Sequence, residues 1–414
     1  MNHLHRKDGR LFLEEASLED LARRYGTPLY VYSLAALNDA YQAYERALAG
    51  LPHLICYAVK ANSSLAILQH FARLGAGFDI VSGGELARVL AAGGSADKVV
   101  FSGVGKTAAE MRMALEAGIR CFNVESESEL ERLNRVAGEL GKRAPVSFRV
   151  NPDVDPKTHP YISTGLKQNK FGVPIGRAHG LYRRAAEMPH VEVHGVDCHI
   201  GSQLTDLSPV ADALDRVLAL VDSLASAGIR LRHVDIGGGV GIRYQDETPP
   251  DMALYREILR SRFKGRMEEV IVEPGRSLVG EAGVLLTRVE YIKRGEGKNF
   301  VIVDAAMNDL MRPALYDAFH EIVPVVESET ASLECDVVGP VCETGDFIGL
   351  GRRLAVVEGG LLAVLAAGAY GMSMSSNYNS RPRAAEVVVN KNEIFLIRER
   401  ETVEELMAGE RLVS

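Results

Sequence analysis

Lys60 closes an apolar, β-favouring run, Leu54-Ile55-Cys56-Tyr57-Ala58-Val59, and is followed by Ala61-Asn62. An amine held at the C-terminal end of a rigid strand and partly withdrawn from water loses its proton more readily, which is what imine formation with an aldehyde requires. A strand-end lysine reaching out to water is the ordinary alternative, and Lys60 alone does not decide between the two. Three other stretches bear on the choice. Asp235-Ile236-Gly237-Gly238-Gly239-Val240-Gly241 lets the backbone approach a ligand closely and turns amide N–H groups toward an anion such as phosphate. Glu273-Pro274-Gly275-Arg276 ends another apolar run with a carboxylate, a glycine amide and a guanidinium. His199-Ile200-Gly201-Ser202-Gln203 follows a third, with an imidazole able to lie against a flat ring and a hydroxyl able to bond a phosphate. Taken singly, each also reads as plain structure: a tight turn, a surface ion pair, a satisfied core histidine.

Together the four stretches supply what pyridoxal 5'-phosphate needs. Lys60 takes the aldehyde as a Schiff base, and Ser202 with the Gly238 and Gly239 amides takes the phosphate. His199 lies on the ring. Glu273 holds the pyridine nitrogen protonated, so that the ring accepts the electrons left when a bond to a substrate's α-carbon breaks. Asp79, Gly275 and Arg276 complete the cofactor-facing set.

These residues must be positioned by recurring elements. Between about residues 50 and 280, short apolar runs alternate with segments of helical periodicity, as in βα units. The expected strands are 54–59, 78–81, 99–101, 121–124, 146–150, 193–198, 233–236 and 270–272. A doubly wound open sheet competes with a closed barrel. Lys60, Asp79, Ser102, Glu125, Arg149, His199, the triple glycine and Glu273 all fall at or just past strand C-terminal ends, which converge on one mouth in a (β/α)8 barrel but are scattered along the edge of an open sheet. The expected fold is therefore α/β: a TIM barrel over 36–284 and an antiparallel β domain from 1–35 plus 285–414. Its strands are expected at 283–291, 300–303, 334–338, 353–357, 385–389 and 393–397, with 28–32 pairing into it.

Composition narrows the class. The chain has 414 residues, 47% hydrophobic and 25% charged, enough for two cores. A formal charge of −8 disfavours nucleic acid and anionic membrane as partners and favours a small-molecule enzyme. The start of the chain lacks an apolar leader, and its longest apolar stretch, 361–367, is too short to span a bilayer, so a cytoplasmic location is expected. Five cysteines, Cys56, Cys121, Cys198, Cys335 and Cys342, are odd in number and lack metal-ligand spacing, which predicts free thiols and neither disulfides nor a metal.

The motifs at Lys60, His199, the triple glycine and Glu273, followed by Gly339-Pro340-Val341-Cys342-Glu343-Thr344-Gly345-Asp346, occur in an order that resembles the fold-type III pyridoxal-phosphate decarboxylases. The segment 165–172 also resembles that family. Within it the chain is most similar to the branch acting on diaminopimelate. Thr344 stands where many relatives have serine. The resemblance implies an alanine-racemase-like barrel with a β domain and a homodimer whose sites are shared, with Cys342 and Glu343 reaching across from the partner. It also implies contacts from Tyr370 to cofactor phosphate and substrate.

The substrate expectation rests on Arg312-Pro313-Ala314-Leu315-Tyr316. Arg312 and Tyr316 are one helical turn apart, and Arg276 with Arg312 can bind a carboxylate. Glu343 can hold the distal ammonium of meso-2,6-diaminopimelate, whose decarboxylation yields L-lysine and carbon dioxide. Ornithine lacks the second carboxylate, and an unmatched arginine would repel its ammonium. Cys342 carries a thiol that can return a proton to the α-carbon. Alternatives are another basic amino-acid decarboxylase of ornithine or arginine type, a non-catalytic cofactor-binding homologue, and a racemase of the same barrel.

Overall fold

A computed structural model describes residues 3–154 and 170–413 and divides them into two compact units. One comprises 41–242 and 248–277; the other comprises 1–40, 243–247 and 278–414. The part of the resemblance at 165–169 lies outside the described residues.

The first unit is a closed barrel of eight parallel strands: His53–Ala58, Gly77–Ile80, Val99–Phe101, Cys121–Val124, Ala144–Asn151, Val191–Asp197, His233–Asp235 and Glu269–Val272. The ring closes because the eighth strand pairs with the first, Val270 opposite His53, while the fourth pairs with the fifth, Phe122 opposite Val146. Each strand is short and largely buried, as expected where helices cover a parallel sheet. A helix follows each of the first seven strands. Several begin on a side-chain cap: the Ser82 hydroxyl accepts from Glu85 N–H, Ser126 from Glu129 N–H, and Thr107 forms a reciprocal capping box with Glu110. These caps fix where each strand-to-helix turn begins, and so where the mouth residues stand.

The first strand ends at Ala58, one residue earlier than expected. Val59–Ala61 form a 3-10 turn, so Lys60 leaves the barrel from a tight turn and not from the strand itself. The sixth strand likewise stops at Asp197, before His199.

The second unit contains a sheet running Phe347–Leu354, Leu333–Val338, Phe300–Val303, Gly283–Lys293, Leu29–Ser33, Ala385–Asn390, Glu393–Arg398. Most pairings are antiparallel, but Phe300–Val303 runs parallel to Leu333–Val338, and Ala385–Asn390 parallel to Leu29–Ser33. Leu29, Val31, Val284, Leu286, Ala363, Val387 and Val389 pack into its core. The strand expected at 353–357 is displaced: the chain pairs over Phe347–Leu354, and two further strands form at Ile322–Pro324 and Leu361–Val364. A small three-stranded sheet of Leu4–Lys7, Arg10–Leu13 and Ala16–Ser17 precedes them. Among the described residues, no helix is long and apolar enough to cross a membrane.

Candidate active site

Side chains alternate between barrel wall and barrel interior, so a polar residue flanked by apolar neighbours in these strands is a deliberate feature. Asp79 and Asn123 sit inside such strands, Asp197 and Asp235 end theirs, and all four are buried, as is Glu273 just past the eighth strand. Asp197, Asp235 and Glu273 bring carboxylate oxygens within 4.8 Å of one another. Three carboxylates this close cannot all ionise. Burial, and for Asp197 and Glu273 also the neighbouring Asp235 charge, pushes their carboxyls well above the usual range, and burial raises Asp235 to about 7.

Two cations face this acidic interior. Lys60 Nζ donates to Asp79 Oδ2 at 2.7 Å. The Arg149 guanidinium lies 3.6 Å from a Glu125 oxygen and 3.9 Å from an Asp197 oxygen. Burial opposes the Arg149 charge, but Asp197, Glu125, Glu273 and Asp79 outweigh it and its pKa rises. Its guanidinium also covers the Phe171 ring at 4.8 Å.

The glycine turn is joined to both neighbouring motifs. A Cβ on Gly238 would stand 2.2 Å from the Glu273 carbonyl oxygen, and Gly239 adopts φ +102° with the Gly201 carbonyl 2.4 Å from where its Cβ would be. Neither position tolerates a side chain. Within the triple glycine two amides are already engaged: Gly237 N–H donates to Asp235 Oδ1 and Gly238 N–H to His199 Nδ1. Among the described residues the Gly239 and Gly275 amides make no hydrogen bond, and they remain for an anion. Because Nδ1 accepts, His199 is neutral with its proton on Nε2. Burial and the Arg149 and Lys60 charges push its pKa well below the usual value. Arg276 Nη2 donates to the Ser202 hydroxyl at 3.2 Å.

The barrel unit thus brings together Lys60, Asp79, His199, Ser202, Gly238, Gly239, Glu273, Gly275 and Arg276. Arg312, Tyr316, Cys342, Glu343 and Tyr370 belong to the other unit. There Arg312 is buried and opens the helix Arg312–Tyr316, with Tyr316 half-buried at its end. Cys342 and Glu343 are exposed on a turn held by Asp346, whose carboxylate accepts from Met307 and Val341 N–H. The Tyr378 hydroxyl donates to Glu343. Tyr370 takes a positive φ of 56° and is half-buried. The other four cysteines are buried free thiols.

A family model described as the pyridoxal-binding domain of pyridoxal-dependent decarboxylases matches residues 34–280. A diaminopimelate decarboxylase of Pseudomonas fluorescens is 61% identical over 414 residues, covering all of both chains. Another, from Pseudomonas aeruginosa, is 62% identical over 98% of each. The chain belongs to the diaminopimelate decarboxylase family of pyridoxal-dependent decarboxylases. The crystal structure of diaminopimelate decarboxylase from Helicobacter pylori complexed with L-lysine superposes with a TM-score of 0.91 at 44% identity, covering 94% of this chain and 98% of that one. The cofactor of this diaminopimelate decarboxylase family member is pyridoxal 5'-phosphate.

The barrel fits that group on its own chemistry. Asp79 Oδ1, Asn123 Oδ1, Asp197 Oδ1 and Asp235 Oδ2 are buried without hydrogen-bond partners among the described residues, around a Glu273 carboxyl that lacks a full counter-charge. A protonated pyridine ring would supply that charge, held against Glu273. Among the site-forming residues, Asn123, Asp197 and the buried Lys106 have no motif to mark them, and Asp235 is marked only as the start of the glycine stretch. Lys106 Nζ donates to the Gly103 and Asn123 carbonyls and to Glu129, which in turn accepts from Glu125 N–H; this ties the third and fourth strand ends together. The available signal was the repeated placing of Asp or Asn between apolar residues in Phe78-Asp79-Ile80, Phe122-Asn123-Val124, Val196-Asp197-Cys198 and Val234-Asp235-Ile236.

Proposed function

We propose that this chain decarboxylates meso-2,6-diaminopimelate to L-lysine and carbon dioxide, the last step of lysine biosynthesis. The observation that carries the reading is end-to-end similarity to relatives named for that reaction, on a barrel whose polar interior suits a pyridinium ring. When bound, pyridoxal phosphate supplies the ring that takes up the electron pair left as carbon dioxide departs.

The residues take the following parts. Lys60 holds the cofactor aldehyde through its neutral amine, and Asp79 positions the Lys60 nitrogen at the barrel mouth. His199, neutral and fixed by Gly238 N–H, packs on the ring without adding positive charge. The Gly239 and Gly275 amides, Ser202 and Tyr370 receive the phosphate, and Glu273 keeps a proton on the ring nitrogen. Arg276, Arg312, Tyr316 and Tyr370 bind the substrate, the two arginines taking carboxylate. Glu343 takes the distal ammonium, and Cys342 delivers a proton to the α-carbon.

The protein works as a cytoplasmic homodimer with shared sites. The exposure of Cys342 and Glu343, set on a turn anchored by buried Asp346, suits side chains that serve a second subunit. The lysine bound to the Helicobacter pylori relative has the structure of the expected product.

Steady-state rates on meso-diaminopimelate, ornithine, arginine and lysine test the reading. A kcat/KM for diaminopimelate at least about a hundredfold above the others is expected, since a carboxylate-matched guanidinium discriminates by several kcal/mol. Faster ornithine turnover would overturn it.

A further inference from the structure

Arg312 is gripped on two sides. Its Nη1 lies 2.8 Å from His320 Nε2, and its guanidinium carbon stands 4.4 Å from the centre of the Tyr244 ring. His320 is wholly buried, and its Nδ1 lies 2.8 Å from the Leu365 carbonyl oxygen. A carbonyl only accepts and a guanidinium only donates, so His320 carries its proton on Nδ1 and accepts from Arg312 through Nε2. The histidine is therefore neutral in this arrangement. Its ring meets Tyr244 edge-on, with centroids 5.2 Å apart and planes at 79°. The Leu365 end is itself fixed, since Leu365 N–H donates to the Glu321 carbonyl beside His320.

We infer that His320 is the positioning residue that orients Arg312 toward the substrate carboxylate, with Tyr244 setting the guanidinium plane. The inference rests on the reading of Arg312 as a substrate-binding residue. A planar guanidinium recognises a carboxylate well only in a fixed orientation. A carboxylate in His320's place would fix Arg312 equally well, but would bring a counter-charge that competes with the substrate's own. Neutral imidazole sets direction without adding that charge. Tyr244, from the five-residue stretch 243–247 beyond the glycine turn, supplies a face on which the cation is attracted to the ring.

The test uses the holoenzyme with His320→Phe, His320→Gln, Arg312→Ala and the double variant His320→Phe/Arg312→Ala. The readouts are visible cofactor absorbance, kcat and KM for meso-diaminopimelate, and inhibition by L-lysine. Loss of the acceptor in His320→Phe should raise KM and the lysine inhibition constant about tenfold or more, with kcat within about threefold and absorbance unchanged. Gln, whose side-chain oxygen can accept from Arg312, should recover most of the loss. In the Arg312→Ala background His320→Phe should add less than about twofold, because a residue acting through another has nothing left to act on. Should His320→Phe not fold, His320→Leu carries the same expectation. Unchanged KM in the His320 variant, or full multiplication of the two effects, overturns the inference. A wild-type KM in Arg312→Ala would instead remove the substrate role of Arg312 on which it stands.

Discussion

Lys60 Nζ and Asp79 Oδ2 are 2.7 Å apart, joining a half-exposed ammonium to a fully buried carboxylate. The charge-assisted bond points Lys60 into the barrel mouth and keeps it from swinging to solvent. With Glu273 on the same interior, this pair defines where an aldehyde and a ring nitrogen belong. Lys60→Ala should therefore abolish the visible absorbance formed with pyridoxal phosphate, along with turnover. A variant that retained both would show that another amine does the work.

Glu273 is predicted to act on electron withdrawal more than on cofactor capture, because the phosphate has its own amides and hydroxyl. Glu273→Gln should retain cofactor yet lose about 2–4 kcal/mol of transition-state stabilisation, a fall in kcat of roughly 30- to 900-fold. Cofactor retention is read by absorbance and turnover by carbon dioxide release. A rate within twofold of the parent contradicts the role.

Asp235 makes the cofactor-free protein sensitive to pH. Burial raises its carboxyl to about 7, so the neutral form is favoured in the fold. The associated stability is full below the ordinary Asp value near 3.8 and is lost as pH rises through about 7. Its ceiling is about 4 kcal/mol, shared with the adjoining Glu273 and Asp197 carboxyls. The melting temperature of the cofactor-free protein should fall between pH 5 and 8, and Asp235→Asn, which keeps an acceptor for Gly237 N–H, should flatten that fall. Identical slopes would place the proton elsewhere.

Shared sites predict complementation. Lys60→Ala and Cys342→Ala proteins, each inactive, should regain activity when subunits exchange, because a mixed dimer holds one site with both an intact lysine and an intact thiol. Random exchange of equal amounts makes about half the dimers mixed, so recovery approaches roughly a quarter of wild type. Verified mixed dimers without activity would put both residues in one subunit's site.

The barrel was legible because its strands are short apolar runs and its chemistry sits at their ends: Lys60, His199, the glycine turn and Glu273 mark the mouth without long-range information. The 3-10 turn at Val59–Ala61 was hidden because Val59 continues the apolar run. In the other unit, Gly349 and Gly351 break the strand signal of Phe347–Leu354, and the pairing with Leu333–Val338 overrides that weakness. Asp197 and Asp235 read locally as polar interruptions, and only the side-by-side pairing of the sixth, seventh and eighth strands, with Asp197 opposite Asp235 and Asp235 opposite Ile271, brings them beside Glu273. The Tyr244–Arg312–His320 grip was equally invisible, since nothing near Tyr244 in sequence signals an arginine 68 positions later.

The most direct test of the account follows the reacting carbon. Purified holoenzyme given meso-diaminopimelate in deuterium oxide should yield one L-lysine and one carbon dioxide per substrate consumed, with one solvent deuteron on the carbon that lost its carboxylate. Lys60→Ala should yield neither. Substrate left intact, or carbon dioxide released from ornithine in its place, would contradict the assignment.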